Sequence, residues 1–111
     1  MSDTTDSFLD MEQVSFNIIL HAGNARADIF SALEEAKSGK WDVSEDLITK
    51  AKDELKQAHD AQTKLLQGFA GGVKIIPDLL LVHAQDHLMT AKSEFTLVEE
   101  LIYLYRKQKV N

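Results

Sequence analysis

The sequence predicts an all-α fold, an up-down-up antiparallel bundle of three long helices in a single domain over residues 1–111. Apolar residues recur at steps of three and four along three long segments, and glycine-containing breaks separate those segments. No stretch alternates apolar and polar residues as a half-buried strand does. With 111 residues and no Pro/Gly/Ser-rich linker, the chain has the length of one domain.

The first helix is read from Met11, Val14, Ile18, Ala22, Ala25, Ile29, Leu33 and Ala36, which fall on one stripe from about Leu9 to Lys37. Gly39 stands where a C-terminal glycine belongs. Gly23 interrupts the stripe at a cost of roughly 1 kcal/mol against alanine, so it is expected to allow close packing of another helix rather than to mark a break. Trp41, in the connection SGKWD, is placed to cover the end of the bundle. Asp42 or Ser44 is expected to cap the second helix, with Glu45 three residues after Asp42 as in a capping box.

The second helix follows Leu47, Ala51, Leu55, Ala58, Gln62, Leu65 and Phe69 until GFAGG at 68–72 ends it. Pro77 suits the first turn of the third helix, where its missing N–H has no intrahelical partner, and that helix is expected to reach about Lys107. A helix of about 30 residues spans about 45 Å. Phe8, Phe16, Phe30, Phe69 and Phe95 are assigned to the core, and the charged runs SEDLITK and KAKDELK to a solvated face. The first eight or so residues, acidic and polar, are expected to be mobile.

Composition excludes several function classes. The formal charge is −6, and no Lys/Arg cluster is interleaved with aromatics, so nucleic acid and anionic membrane are poor partners. The N-terminus lacks the basic start and apolar run of a secretory signal, and no apolar stretch approaches a membrane span; a cytoplasmic protein is expected. The absence of cysteine removes disulfides, zinc-thiolate sites and thiol nucleophiles. A chain this short also gains by associating with copies of itself.

The third helix carries HAQDH at 83–87. At 100° per residue, His83, Asp86 and His87 share an arc of about 100°, continued by Thr90 and Glu94. Leu79 and Leu80 precede this patch, and Leu97, Val98, Leu101, Leu104 and Tyr105 extend it, so it interrupts what reads as a buried apolar seam. A carboxylate on such a seam needs pairing. If third helices of several copies meet on a symmetry axis, their aspartates converge, and a divalent oxygen-ligated ion such as Mg²⁺ offsets the repulsion. His83 offers an imidazole able to accept a phosphoryl group, a proton or a metal, and His87 lies one turn later, within reach of whatever His83 holds. On residue type alone, a pair of core histidines is an equal alternative.

Histidine and glutamine at the helix margins, His59 and Gln62, are read as structural hydrogen-bonding groups, and His21 as a packing residue. A zinc protease is discounted because Ala84 stands where the H-E-x-x-H motif needs its glutamate. A di-iron site is discounted for want of paired Glu-x-x-His motifs.

The run HAQDHLMTA at 83–91 resembles the signature of the enzyme IIA component of the lactose/cellobiose class of the sugar phosphotransferase system. HAGNAR at 21–26 resembles the family's A-G-D-A-R stretch, and AHDAQT at 58–63 its A-H-x-x-Q-T stretch. The resemblance covers roughly Val14 to Lys107, with Asn24 departing from the usual aspartate. It implies a phosphocarrier that forms a homotrimer, accepts a phosphoryl group from HPr on His83 and passes it to a cysteine of the IIB component. It further implies that Asp86 binds a metal ion, Mg²⁺, on the trimer axis, and that Gln85 and His87 support the site. Ala84 resembles the cellobiose and chitobiose members rather than the lactose ones, so within the β-linked disaccharides the resemblance leans toward a β-glucoside such as cellobiose. Two other readings stand beside it. One is a non-enzymatic helical adaptor using the apolar seam of the third helix, with HAQDH as a register-setting network. The other is a two-component histidine phosphotransfer module.

Overall fold

The computed structural model describes the backbone of residues 4–110 and the side chains of residues 11–108. Three helices run in order, α1 (Thr4–Lys37), α2 (Trp41–Ala70) and α3 (Leu79–Val110), with no strand among the described residues. Extents of 61 × 21 × 17 Å make the molecule about one helix long and two helices across. The helices α1 and α3 overrun the expected limits near Leu9 and Lys107, because polar helix ends carry no apolar periodicity to read. The mobility expected of the N-terminus and the core placement of Phe8 fall wholly or partly on positions outside the described residues.

Both inter-helix turns are built around a left-handed glycine. Gly39 (φ 77°) follows α1, its N–H donating to the Ala36 carbonyl at 3.0 Å while the Lys40 N–H donates to Glu35 at 2.9 Å. Gly72 (φ 96°) follows α2, with the Val73 N–H donating back to Gly68 at 2.9 Å. These are Schellman closures, which occupy carbonyls that the last turn leaves unpaired.

The starts of α2 and α3 differ from expectation. Lys40 precedes α2 without a side-chain capping bond, and Trp41 is its first residue rather than part of a connection. The tight turn starts the helix at once and carries Ser44 into the first turn on the inward face. There the Ser44 hydroxyl is buried and donates to the Ala32 carbonyl of α1 at 2.9 Å, since a buried hydroxyl must find an internal partner. Before α3, Pro77 lies one residue ahead of the cap. Asp78 is the capping residue, its Oδ1 accepting from the Leu81 N–H at 2.8 Å.

The core is rich in alanine, which lets helix axes approach closely. Ala32, Ala36 and Ala51 meet Ile29, Phe95, Val98 and Ile102 in one cluster, against which Trp41 packs. Ala58 and Ala84 meet Ile18 and Leu88 in the other. Arg106 lies over the Trp41 ring at 5.7 Å and donates to Glu45 at 3.0 Å, tying the far end of α3 to the start of α2. Phe95 is buried as expected, but Phe16, Phe30 and Phe69 are 54%, 41% and 62% exposed. Phe16 and Phe30 sit one or two residues off the Ile18–Ala22–Ala25–Ile29 ridge, and so about 100° to 200° round the helix from it. The helix α1 packs against both partners, whereas α2 and α3 touch only slightly. Much of α3 is therefore left uncovered.

Candidate functional site

The inward ridge of α3 is Leu81, Ala84, Leu88, Ala91, Phe95, Val98 and Ile102, all buried. The HAQDH side chains are distributed around that ridge. His87 is nearest to it and half-buried, His83 is exposed, and Asp86 is exposed on the side of α3 facing away from the bundle. The expected seam is thus not buried within the chain. Leu79, Leu97, Leu101 and Leu104 are exposed at 85%, 66%, 45% and 52%, and of the seam residues Val98 belongs to the core. Helix α3 carries two apolar faces, and only one of them is used internally.

His83 and His87 are brought together. Their rings stack 5.7 Å apart, 12° from parallel, as one helical turn of separation allows. His87 also lies against α1, with its Nε2 3.5 Å from where a Cβ at Gly23 would stand. Burial pushes the His87 pKa below the ordinary 6.5; the Arg26 guanidinium and His83 act in the same direction, and Glu94 opposes them. A neutral His87 can donate one hydrogen bond and accept another.

Gln85 turns toward α2, where its Oε1 accepts from Gln62 Nε2 at 2.6 Å. The structural role expected of Gln62 has this contact as its basis. His59 Nδ1 lies 3.2 Å from Lys92 Nζ on the exposed surface between α2 and α3. His21 is more than a packing residue, because its Nδ1 lies 2.6 Å from Glu54 Oε2, which also accepts from Asn24 at 3.3 Å.

Two residues that sequence reasoning did not single out as a pair stand beside the histidines. Arg26 engages Glu94 side-on, Nε to Oε1 and Nη2 to Oε2, the latter at 3.0 Å. The available signal was the spacing: Arg26 follows Gly23 by three residues on α1, and Glu94 follows His87 by seven on α3, so each continues the face of the residue that marks the site.

No group of three or more His, Asp or Glu side chains among the described residues could hold a metal ion. Asp86 is a hard oxygen donor suited to Mg²⁺, but one carboxylate is too few ligands. The residue fits such an ion only where further copies supply equivalent carboxylates. Among the described residues, no helix is long and apolar enough to cross a membrane.

Comparison with known proteins places this geometry in context. The lichenan-specific phosphotransferase enzyme IIA component of Bacillus subtilis is 46% identical over 98 residues, covering 88% of this chain and 89% of the relative. The N,N'-diacetylchitobiose-specific EIIA component of Escherichia coli is 39% identical over 107 residues, covering 96% and 92%. The crystal structure of the cellobiose-specific enzyme IIA from Bacillus anthracis superposes with a TM-score of 0.86 at 40% identity, covering 100% of this chain and 96% of that one. The IIA(chitobiose) structure determined in complex with HPr from E. coli gives 0.77 at 39% identity, covering 89% and 96%. Residues 13–106 match the family described as "PTS system, Lactose/Cellobiose specific IIA subunit". The chain belongs to the lactose/cellobiose-specific IIA family of the phosphotransferase system, whose members are phosphoryl-carrying phosphotransferase components.

Proposed function

We propose that His83 is the phosphoryl acceptor of this IIA component, taking the group from HPr and passing it to a cysteine of a IIB partner in the uptake of a β-linked di- or oligosaccharide. The observation that carries this reading is the exposed His83 imidazole, stacked on a second, half-buried histidine that is seated against another helix. On acceptance, the P–N bond to the donor imidazole breaks as one to His83 forms, and the bond pair returns to the donor nitrogen. On donation, the P–N bond to His83 breaks as a P–S bond forms. Such transfer depends on in-line positioning and charge stabilisation more than on acid–base groups. This suits a site with two imidazoles and no cysteine of its own.

HPr is the partner found with the related IIA(chitobiose), which supports the same donor here. The relatives named for lichenan and N,N'-diacetylchitobiose support a β-linked sugar. The exposed apolar face of α3 supports a homotrimer in which three copies of that face meet on an axis. Asp86 from each copy would then hold one Mg²⁺, an ion that offsets the repulsion of the converging carboxylates. His87 supports the site by hydrogen bonding to the phosphoryl group, and Gln85 of α3, held by Gln62 of α2, has a supporting role. Membership of the family favours the carrier over a non-enzymatic adaptor or a two-component phosphotransfer module.

The test is a two-step transfer assay. The chain is labelled from phosphoenolpyruvate through enzyme I and HPr and then mixed with a IIB component. Wild type should gain label and discharge it to IIB, whereas His83→Ala should gain none while keeping its helicity. Label retained by His83→Ala would move the acceptor elsewhere.

A further inference from the structure

Gly23 sits in the interior of α1, where glycine is a poor helix residue. Its φ is not positive, so the backbone does not require it. A small residue leaves room at this position, and the structure identifies what lies across that room. Leaving aside its chain neighbours and the backbone of its own helix, a Cβ added at position 23 would meet a single described atom within 4 Å, the Nε2 of His87, at 3.5 Å. No backbone of α3 comes that close. Position 23 therefore faces a side chain, the second imidazole of the site, and a residue larger than alanine would meet it.

We propose that Gly23 is a positioning residue for phosphoryl transfer, acting through His87, and that the Arg26–Glu94 pair holds α1 and α3 at the height that keeps this seat in register. The proposal rests on the reading of His83 as acceptor. The His87 ring faces α1 at Gly23, where no side chain stands between them, and it lies nearly parallel to His83. One turn further along α1, Arg26 reaches Glu94 through two hydrogen bonds. A side-on, two-point contact of a planar guanidinium fixes orientation as well as distance. A ring already held where the phosphoryl oxygens arrive needs no ordering at the moment of transfer.

A Cβ alone at 3.5 Å is ordinary van der Waals contact, so Gly23→Ala should leave the rate of phosphoryl acceptance from HPr within about two- to three-fold of wild type. A branched side chain occupies the volume of the ring, so Gly23→Val should slow acceptance by about ten-fold or more. Helicity and thermal midpoint are followed alongside. The discriminating measurement is a double-mutant cycle: in a His87→Ala background, Gly23→Val should cause no further loss, because the residue it displaces is gone. Equal slowing in both backgrounds, or none in either, would overturn the proposal.

A second measurement uses Gly23→Ala, which folds on any account of a helix, and needs no phosphorylation. In its NMR spectrum the ring signals of His87 should shift while those of His59 stay in place. An unmoved His87 would also overturn the proposal. If wild type fails to accept phosphate, or His83→Ala accepts it, the reading of the acceptor falls while the NMR result still decides the seat.

Discussion

At the scale of single residues, the two signature histidines face different surroundings although they are one turn apart. His83 is exposed, whereas His87 is half-buried against α1. Burial, Arg26 and His83 lower the His87 pKa below 6.5, so just beneath that value the folded chain binds fewer protons than the unfolded one. The neutral ring therefore costs no stability above the unfolded pKa, and stability falls as pH drops below it toward the folded pKa. NMR titration of the unphosphorylated protein should give His87 a midpoint below 6.5, and Arg26→Gln should raise it; a midpoint at or above 6.5 would contradict the environment described. Asp78 offers a second residue-scale test. Asp78→Ala should cost about 1 kcal/mol in urea unfolding by removing the cap of α3, while Asp78→Asn should cost little. The identities of His83, Gln85, Asp86 and His87 were legible in the sequence because they break an apolar pattern. The contacts of His87 with Gly23 and of Arg26 with Glu94 were not, since they join residues on different helices and a single periodicity reports one helix at a time.

At the scale of elements, the three helices and both glycine stops could be read directly. Gly39 shows why: its φ of 77° is one that residues with a Cβ rarely adopt, and nothing lies within 4 Å of a Cβ placed there. Gly39→Ala should thus destabilise by about 1 kcal/mol through backbone conformation alone, a loss visible in the denaturation midpoint. Cap positions were less legible, because Ser44 has the chemistry of a cap and the burial of a core residue. The aromatic positions misled for a related reason. Phe16, Phe30 and Phe69 fit a rule that large apolar side chains are inside, yet eight of the sixteen buried apolar residues among those described are alanines, and Ile18, Ile29 and Leu88 are the large apolar side chains that are fully buried. Leu88→Ala should cost about 2–5 kcal/mol, since the residue is fully buried where α1, α2 and α3 converge.

At the scale of the whole molecule, α3 has an apolar face turned inward and another turned outward, with Asp86 on the outer one. A sequence pattern registers both as apolar and does not say which is covered by the chain itself and which by a copy. This is why the patch was read as part of a buried seam. On the trimer proposal, Asp86→Leu should remove any dependence of assembly on Mg²⁺, as followed by light scattering with and without chelator. Metal-dependent trimers in that variant would sink the axial assignment. Intact-mass spectrometry at neutral to alkaline pH decides whether His83 is the phosphoryl acceptor. Wild type and His83→Ala are each mixed with phosphoenolpyruvate, enzyme I and HPr. One phosphoryl group gained by wild type and none by His83→Ala is the result predicted. No gain by wild type while HPr is phosphorylated in the same tube, or equal gain by both proteins, would contradict it.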